Sequence, residues 1–208
     1  MESEAWKQEG LLVVVSSPSG GGKTTIVNRI RERHDEYVYS VSVTTRPMRS
    51  GEMDGQHYTF VGPEEFLLRR ERGEFAEWAR VHDHEYGTPR RLIDEVLTAR
   101  QVALFDLDVQ GGLQIKGTYP QSVLVFILPP TLRELENRLR GRRSDTEKAI
   151  RTRLKNARRE ITFWSQYDYV VMNDRLEEAI SRVEAIIVAE RCRSSRNRII
   201  SLSEQDLK

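Results

Sequence analysis

Residues 16–25 read SSPSGGGKTT. Gly20, Gly21 and Gly22 run directly into Lys23, Thr24 and Thr25. These residue types in this order can cradle phosphate. Glycine has no Cβ, so backbone N–H groups can close around an anion. Lys23 adds a mobile positive charge, and the Thr24 hydroxyl can ligate Mg²⁺. The general pattern is G-x-x-x-x-G-K-[ST], and its first glycine falls here on Ser17. Ser17 stands before the part of the loop that encloses phosphate. Its side chain therefore matters only if that position requires a positive φ.

Further along, Arg46, Arg49 and Tyr58 lie within SVSVTTRPMRSGEMDGQHYTF (residues 40–60) and supply donors that grip phosphate. FAEWA (75–79) and HEYGTPR (84–90) follow, carrying Glu77, Tyr86 and Thr88. The segment RLRGRRSDTEKAIRTRLK (138–155) concentrates arginines. Taken singly, an arginine is usually a surface ion-pair partner and a tyrosine a core or strand residue. Only the joint pattern argues for a second phosphate site. Phosphoryl transfer needs alignment and charge cancellation more than a nucleophile, so cations are the groups to look for.

The elements that must position these residues are legible in the hydrophobic pattern. LLVVV (11–15), VALFDLD (102–108), VLVFIL (123–128) and YVVM (169–172) read as buried strands. Their continuous apolar character predicts a parallel sheet covered on both faces. LLVVV should deliver the chain into the glycine loop. A helix should follow, with Ile26, Val27 and Ile30 inward, so that phosphate meets a helix N-terminus. Thr131/Glu134, Ser144/Glu147 and Asp174/Glu177 have the spacing of capping boxes. Pro63 and Gly73 suit the start and stop of another helix. Strand–helix alternation gives an α/β fold. Two stretches interrupt it without a Pro/Ser-rich linker, residues 39–90 and the arginine-dense 136–158, and both read as flaps on one domain. The core is then approximately 9–38, 91–135 and 159–190, with a basic tail at 191–208 expected to fray.

The composition limits the function. The 208 residues are enough for one well-cored domain. Lys+Arg number 33 against 32 Asp+Glu, so no global charge favours nucleic acid. The longest apolar runs are too short to span a bilayer, and the polar MESEAWKQEG start is unlike a signal peptide. The single cysteine, Cys192, precludes an internal disulfide framework. HDH (82–84) reads as an ordinary polar loop rather than a metal pair.

At these residues the chain resembles the guanylate kinases. The matching pieces are SPSGGGKTT, SVSVTTRPMRSGE, HYTF, FAEWA, YGT, FDLDVQG, RLRGRRSDTEKAIRTRL and VMND, over roughly residues 9–190. The family's usual loop has glycine where Ser17 stands. The resemblance implies a P-loop NTPase core with a parallel sheet flanked by helices, a GMP-binding flap and a helical lid. It implies transfer of the γ-phosphate of ATP to GMP, and to dGMP, with Mg²⁺. ATP would be held by Ser17, Pro18, Ser19, Gly20, Gly21, Gly22, Lys23, Thr24 and Thr25, with Arg138 and Asn173 near adenine. Arg46, Arg49, Tyr58 and Tyr86 would hold the GMP phosphate. Ser42, Glu77, Thr88 and Asp108 would surround guanine, and Glu52 would order the nearby arginines. Lys23, Arg46, Arg142 and Arg153 would serve the chemistry, the last two from the lid. Thr24 would hold Mg²⁺, with Asp106 acting through water.

Elementary hydrogen-bond chemistry agrees with a guanine site. Guanine offers N1–H and N2–H₂ as adjacent donors, which one carboxylate such as Glu77 accepts, and hydroxyls such as Ser42 or Thr88 can donate to O6. Adenine would set a bare N1 acceptor against that carboxylate, a mismatch of roughly 10⁴ or more. Two rival readings are a catalytically dead, protein-binding module of this type and a kinase for another monophosphate or small metabolite. The intact Lys23 and Thr24 oppose the first, and Glu77 with Ser42 and Thr88 opposes the second. A cytoplasmic location, small-molecule partners only and a monomer or homo-oligomer complete the expectation, with no membrane or nucleic-acid partner.

Overall fold

β1 (Trp6–Gln8) leads into β2 (Leu11–Ser16), whose six residues are all buried. Its side chains alternate between two cores. Leu11, Val13 and Val15 join one cluster, and Leu12 and Val14 the other. A strand buried on both faces has no polar side, which explains its unbroken apolar sequence. In this computed structural model, which describes residues 6–81, 83–141 and 146–199, α1 (Lys23–Arg33) follows directly. It is held by Ile26, Val27 and Ile30, each fully buried as the periodicity predicts.

The chain then forms β3 (Val38–Tyr39), β4 (Val43–Thr44), β5 (Thr59–Phe60), α2 (Pro63–Glu71), β6 (Phe75–Val81), β7 (His84–Pro89) and α3 (Arg90–Ala99). β8 (Val102–Asp106), α4 (Val109–Thr118), β9 (Val123–Leu128), α5 (Leu132–Gly141), α6 (Glu147–Ile161), β10 (Tyr169–Met172), α7 (Leu176–Arg191) and β11 (Asn197–Ile199) complete it.

The main sheet has the order β10-β9-β2-β8-β3, with every neighbouring pair parallel. α1 and α7 cover one face, and α3 and α4 the other. β2 lies between β8 and β9, so the loop leaving it opens where strand order reverses. Open α/β sheets bind ligands at this point.

The stretch expected as the first flap contains a second sheet, β5-β4-β7-β6. β6 and β7 form its long antiparallel pair. Val43, Phe66 and Phe75 make a small core of their own, with the Phe66 and Phe75 rings stacked at 4.7 Å. The stretch YSVSVTT (39–45), whose sequence alternates, does not form one strand. Its start, β3, joins the main sheet, and β4 belongs to the second sheet.

α5 and α6 pack on each other through Leu135, Leu139, Ile150 and Ala157. Thr131 caps α5, accepting from the Glu134 N–H at 3.0 Å. Two other expected caps need correction. Thr146, accepting from the Ala149 N–H, caps α6, and Ser144 lies outside the described residues. α7 starts at Leu176, with Arg175 at the cap position and no side-chain cap, and the Asp174 carboxylate accepts from the adjacent Arg175 N–H instead. The tail also differs from expectation. β11 pairs antiparallel with β1, and the Arg196 guanidinium is buried against Glu190 at 3.2 Å.

Candidate functional site

The phosphate loop keeps its shape by exclusion as much as by attraction. Gly20 (φ 92) and Gly22 (φ 99) adopt left-handed backbone that side chains rarely tolerate. A Cβ at Gly20 would stand 2.9 Å from Leu139 of α5, and one at Gly21 would stand 2.8 Å from the Ser17 Cβ. Ser17 itself is not among the left-handed residues, and its hydroxyl donates to the Pro18 carbonyl at 3.0 Å. A serine therefore sits here without strain, and its Cβ fills the space that keeps position 21 a glycine.

Lys23 opens α1, and its ammonium pairs with the Asp106 carboxylate at the end of β8. Burial pulls the lysine pKa down. Asp106 more than reverses this, so the value ends above that of an ordinary lysine. The Thr24 and Thr25 side chains are exposed beside it. A cleft of about 500 Å³ runs from this loop past Asp108 of the β8–α4 turn to Arg80 of β6 and to Arg153, Asn156 and Glu160 of α6. The last three recur at the helical spacing of one face.

Across the cleft, β6 is joined to α4. The Gln114 side chain accepts from the Trp78 N–H and donates to its carbonyl at 3.0 Å. This seats Glu77, only 4% exposed, against the start of α4. A Cβ at Gly111 would lie 2.7 Å from the Glu77 Oε2. Glycine at 111 is therefore what admits the carboxylate. Burial, with repulsion from Asp108 adding to it, drives the Glu77 pKa up to about 7, against a donated hydrogen bond from Thr88 that lowers it. That bond is 2.6 Å long and commits the Thr88 hydroxyl to Glu77 in this structure, not to the cleft. Asp108 caps α4 through the Gly111 N–H at 2.9 Å.

Arg46 is 8% exposed. Its guanidinium donates to Glu52 and to the Pro47 carbonyl, each at 2.7 Å, and lies over the Tyr58 ring at 5.3 Å. Glu52 also accepts from the Arg49 backbone N–H at 2.7 Å, so it touches the Arg46 guanidinium and the Arg49 main chain. Tyr58 stands edge-on to Tyr86 at 5.9 Å. Its hydroxyl pKa is raised by burial first, then by the field of Asp106, with Lys23 opposing. The second sheet thus presents Tyr58 within electrostatic reach of the phosphate loop. Ser42 is partly buried, and its carbonyl accepts from the Thr59 N–H.

Arg138 and Asn173 also meet at the loop. The Asn173 amide donates to the Gly21 carbonyl at 2.9 Å, and Arg138 donates to the Asn173 carbonyl at 2.9 Å. Arg153 lines the cleft, and Arg142 lies outside the described residues. Two residues that sequence reasoning passed over belong to the site. The Glu160 carboxylate accepts from the Ser19 N–H at 2.9 Å, and Gly111 admits Glu77. The spacing of 153, 156 and 160 was a readable signal for Glu160. Gly111 had none without the β6–α4 contact.

A parallel sheet with a glycine loop at its switch point, opening on a cleft that an arginine of a second sheet also lines, defines a P-loop nucleotide-binding protein. Comparison with known proteins narrows the class. The guanylate kinase family model matches residues 9–190. The guanylate kinase of Myxococcus xanthus is 48% identical over 188 residues, covering 90% of each chain. That of Anaeromyxobacter dehalogenans is 50% identical, covering 93% of this chain and 88% of the relative. A crystal structure of guanylate kinase from Anaplasma phagocytophilum superposes with a TM-score of 0.79 at 34% identity, covering 97% of this chain and 95% of that one. The chain belongs to the guanylate kinase family.

Proposed function

We propose that the chain transfers the γ-phosphate of ATP to GMP, giving ADP and GDP, and that it accepts dGMP as well. The observation that carries the acceptor is Glu77. It is a buried carboxylate on β6, seated by Gly111 and Thr88, and Arg80 and Val81 of that strand line the same cleft as the phosphate loop. Once ionised, it accepts N1–H and N2–H₂ of guanine. Ser42 and Asp108 complete the base pocket in this reading, with Thr88 acting through Glu77. Arg46, Arg49, Tyr58 and Tyr86 take the acceptor phosphate.

On the donor side, Gly20, Gly21, Gly22, Lys23, Thr24 and Thr25 hold the triphosphate at the N-terminus of α1. Lys23 leaves Asp106 for the phosphates. Arg46 and Arg153, with Arg142 in the same proposal, spread positive charge over the transferring group. The donor set suits a magnesium ion carried by the nucleotide. Thr24 offers an exposed hydroxyl and Asp106 a carboxylate nearby, and magnesium favours few protein ligands supplemented by phosphates and water. When bound, the ion would draw charge from the phosphate oxygens. Residues 39–90 then form the GMP-binding flap and 136–158 the lid of a single domain. No helix among the described residues is long and apolar enough to cross a membrane, and a cytoplasmic site of action is part of the proposal.

Phosphorus NMR of ATP, GMP and magnesium with the protein tests this directly. Resonances of ADP and GDP should grow together. Release of inorganic phosphate without GDP would refute the transfer.

A further inference from the structure

We infer that Asn173 acts on the phosphate loop rather than on the donor base. It is a positioning residue that turns the Gly21–Gly22 peptide so that the Gly22 N–H faces the phosphates. The inference rests on the proposed reading of the loop as the triphosphate site.

Asn173 follows β10 and is only 5% exposed. Both of its backbone groups are committed. The N–H donates to the Leu128 carbonyl at 2.7 Å, and the carbonyl accepts from Arg138 at 2.9 Å. Arg138 is fixed in turn by Glu134 at 2.9 Å. The side-chain amide, placed this firmly, donates to the Gly21 carbonyl at 2.9 Å. No peptide among the described residues is cis. A planar trans peptide points its C=O and the next N–H in opposite directions. Holding the Gly21 carbonyl against Asn173, outside the loop, therefore turns the Gly22 N–H to the inside. Left-handed glycines at 20 and 22 leave this peptide free to turn either way, so it needs an external hold. The contact is also close. A Cβ at Gly22 would lie 2.4 Å from the Asn173 Nδ2. The side chain is thus packed against the loop backbone, and one of its two amide N–H donors is used there.

The two roles differ in what they sense. A residue that reads adenine affects ATP alone. A residue that aims a loop N–H affects every ligand with the same phosphates. The test is calorimetric binding of ATP, CTP and inorganic tripolyphosphate, each with magnesium, to the wild type and to Asn173→Ala. Losing one hydrogen bond's worth of alignment should weaken all three by a common factor of about fivefold to tenfold. GMP affinity should stay unchanged. Loss confined to ATP, or no loss with tripolyphosphate, overturns the inference. If Asn173→Ala does not fold, as judged by its thermal midpoint, the wild type decides. The Gly22 amide proton should shift downfield when tripolyphosphate binds, and an unmoved resonance overturns the inference. Absence of GDP formation in a wild type that still binds tripolyphosphate would refute the kinase reading and leave this one intact.

Discussion

In the proposed reading of the site, Glu77 makes GMP recognition a proton-linked event. Its pKa lies near 7 in the ligand-free protein, raised chiefly by burial from an ordinary 4.5. Guanine donors favour the ionised form, so GMP binding releases a proton below pH 7 and weakens as the pH falls through that value. The stability sign is opposite. A raised carboxyl pKa means the folded state holds its proton more tightly. This group's contribution is complete below about pH 4.5 and is lost as the pH rises from 4.5 to 7. Glu77→Gln should cut GMP affinity on the order of 10²-fold, leave ATP affinity within about twofold and abolish this pH dependence. Equal losses for both nucleotides in calorimetry would point to a folding role instead.

Lys23 has a resting partner in Asp106, whose side chain is 9% exposed. Lys23→Met should keep GMP binding and lower turnover on the order of 10²-fold or more. The stranded carboxylate should also cost about 1–3 kcal/mol of stability. Near-normal turnover would remove Lys23 from the transfer step. Lys23 and the glycines were readable because a loop motif is local. The Thr88–Glu77 bond joins residues on facing strands, and Gly111 matters only once β6 crosses α4. Neither leaves a mark in a linear pattern.

Among the elements, continuous apolar runs identified β2, β8, β9 and β10, and helical periodicity with Pro63 and Thr131 identified α2 and α5. The short β4 and β5 were blurred because two residues show no period. The tail misled most. RCRSSRNRII looks solvated by composition, yet Arg196 enters the interior because Glu190, 2% exposed, awaits it on α7. Glu190 also accepts from the Tyr169 hydroxyl at 2.5 Å, which ties β10 to α7 and the tail. Breaking a buried pair leaves a charge uncompensated. Arg196→Ala should therefore lower the unfolding free energy by about 3–5 kcal/mol in urea. A change below about 1 kcal/mol would show that β11 contributes little.

The whole molecule sets the second sheet and the α5–α6 pair on either side of one cleft. Arg80 approaches from one side, and Arg153 with Asn156 from the other. Bringing two polyanions together requires these cations to converge, and excluding water protects the γ-phosphate from hydrolysis. With the exposed Cys192 replaced, labels at positions 69 on α2 and 151 on α6 should move closer when GMP and a non-hydrolysable ATP analogue bind together. An unchanged energy-transfer efficiency would contradict closure. The central claim is that this cleft passes phosphate to a guanine nucleotide, and it is tested most directly by release of ADP from ATP with GMP, AMP, UMP and CMP supplied in parallel. The account predicts rapid release with GMP and, at equal concentration, rates with the other three lower by roughly 10⁴ or more. Comparable rates with AMP or a pyrimidine monophosphate would contradict it.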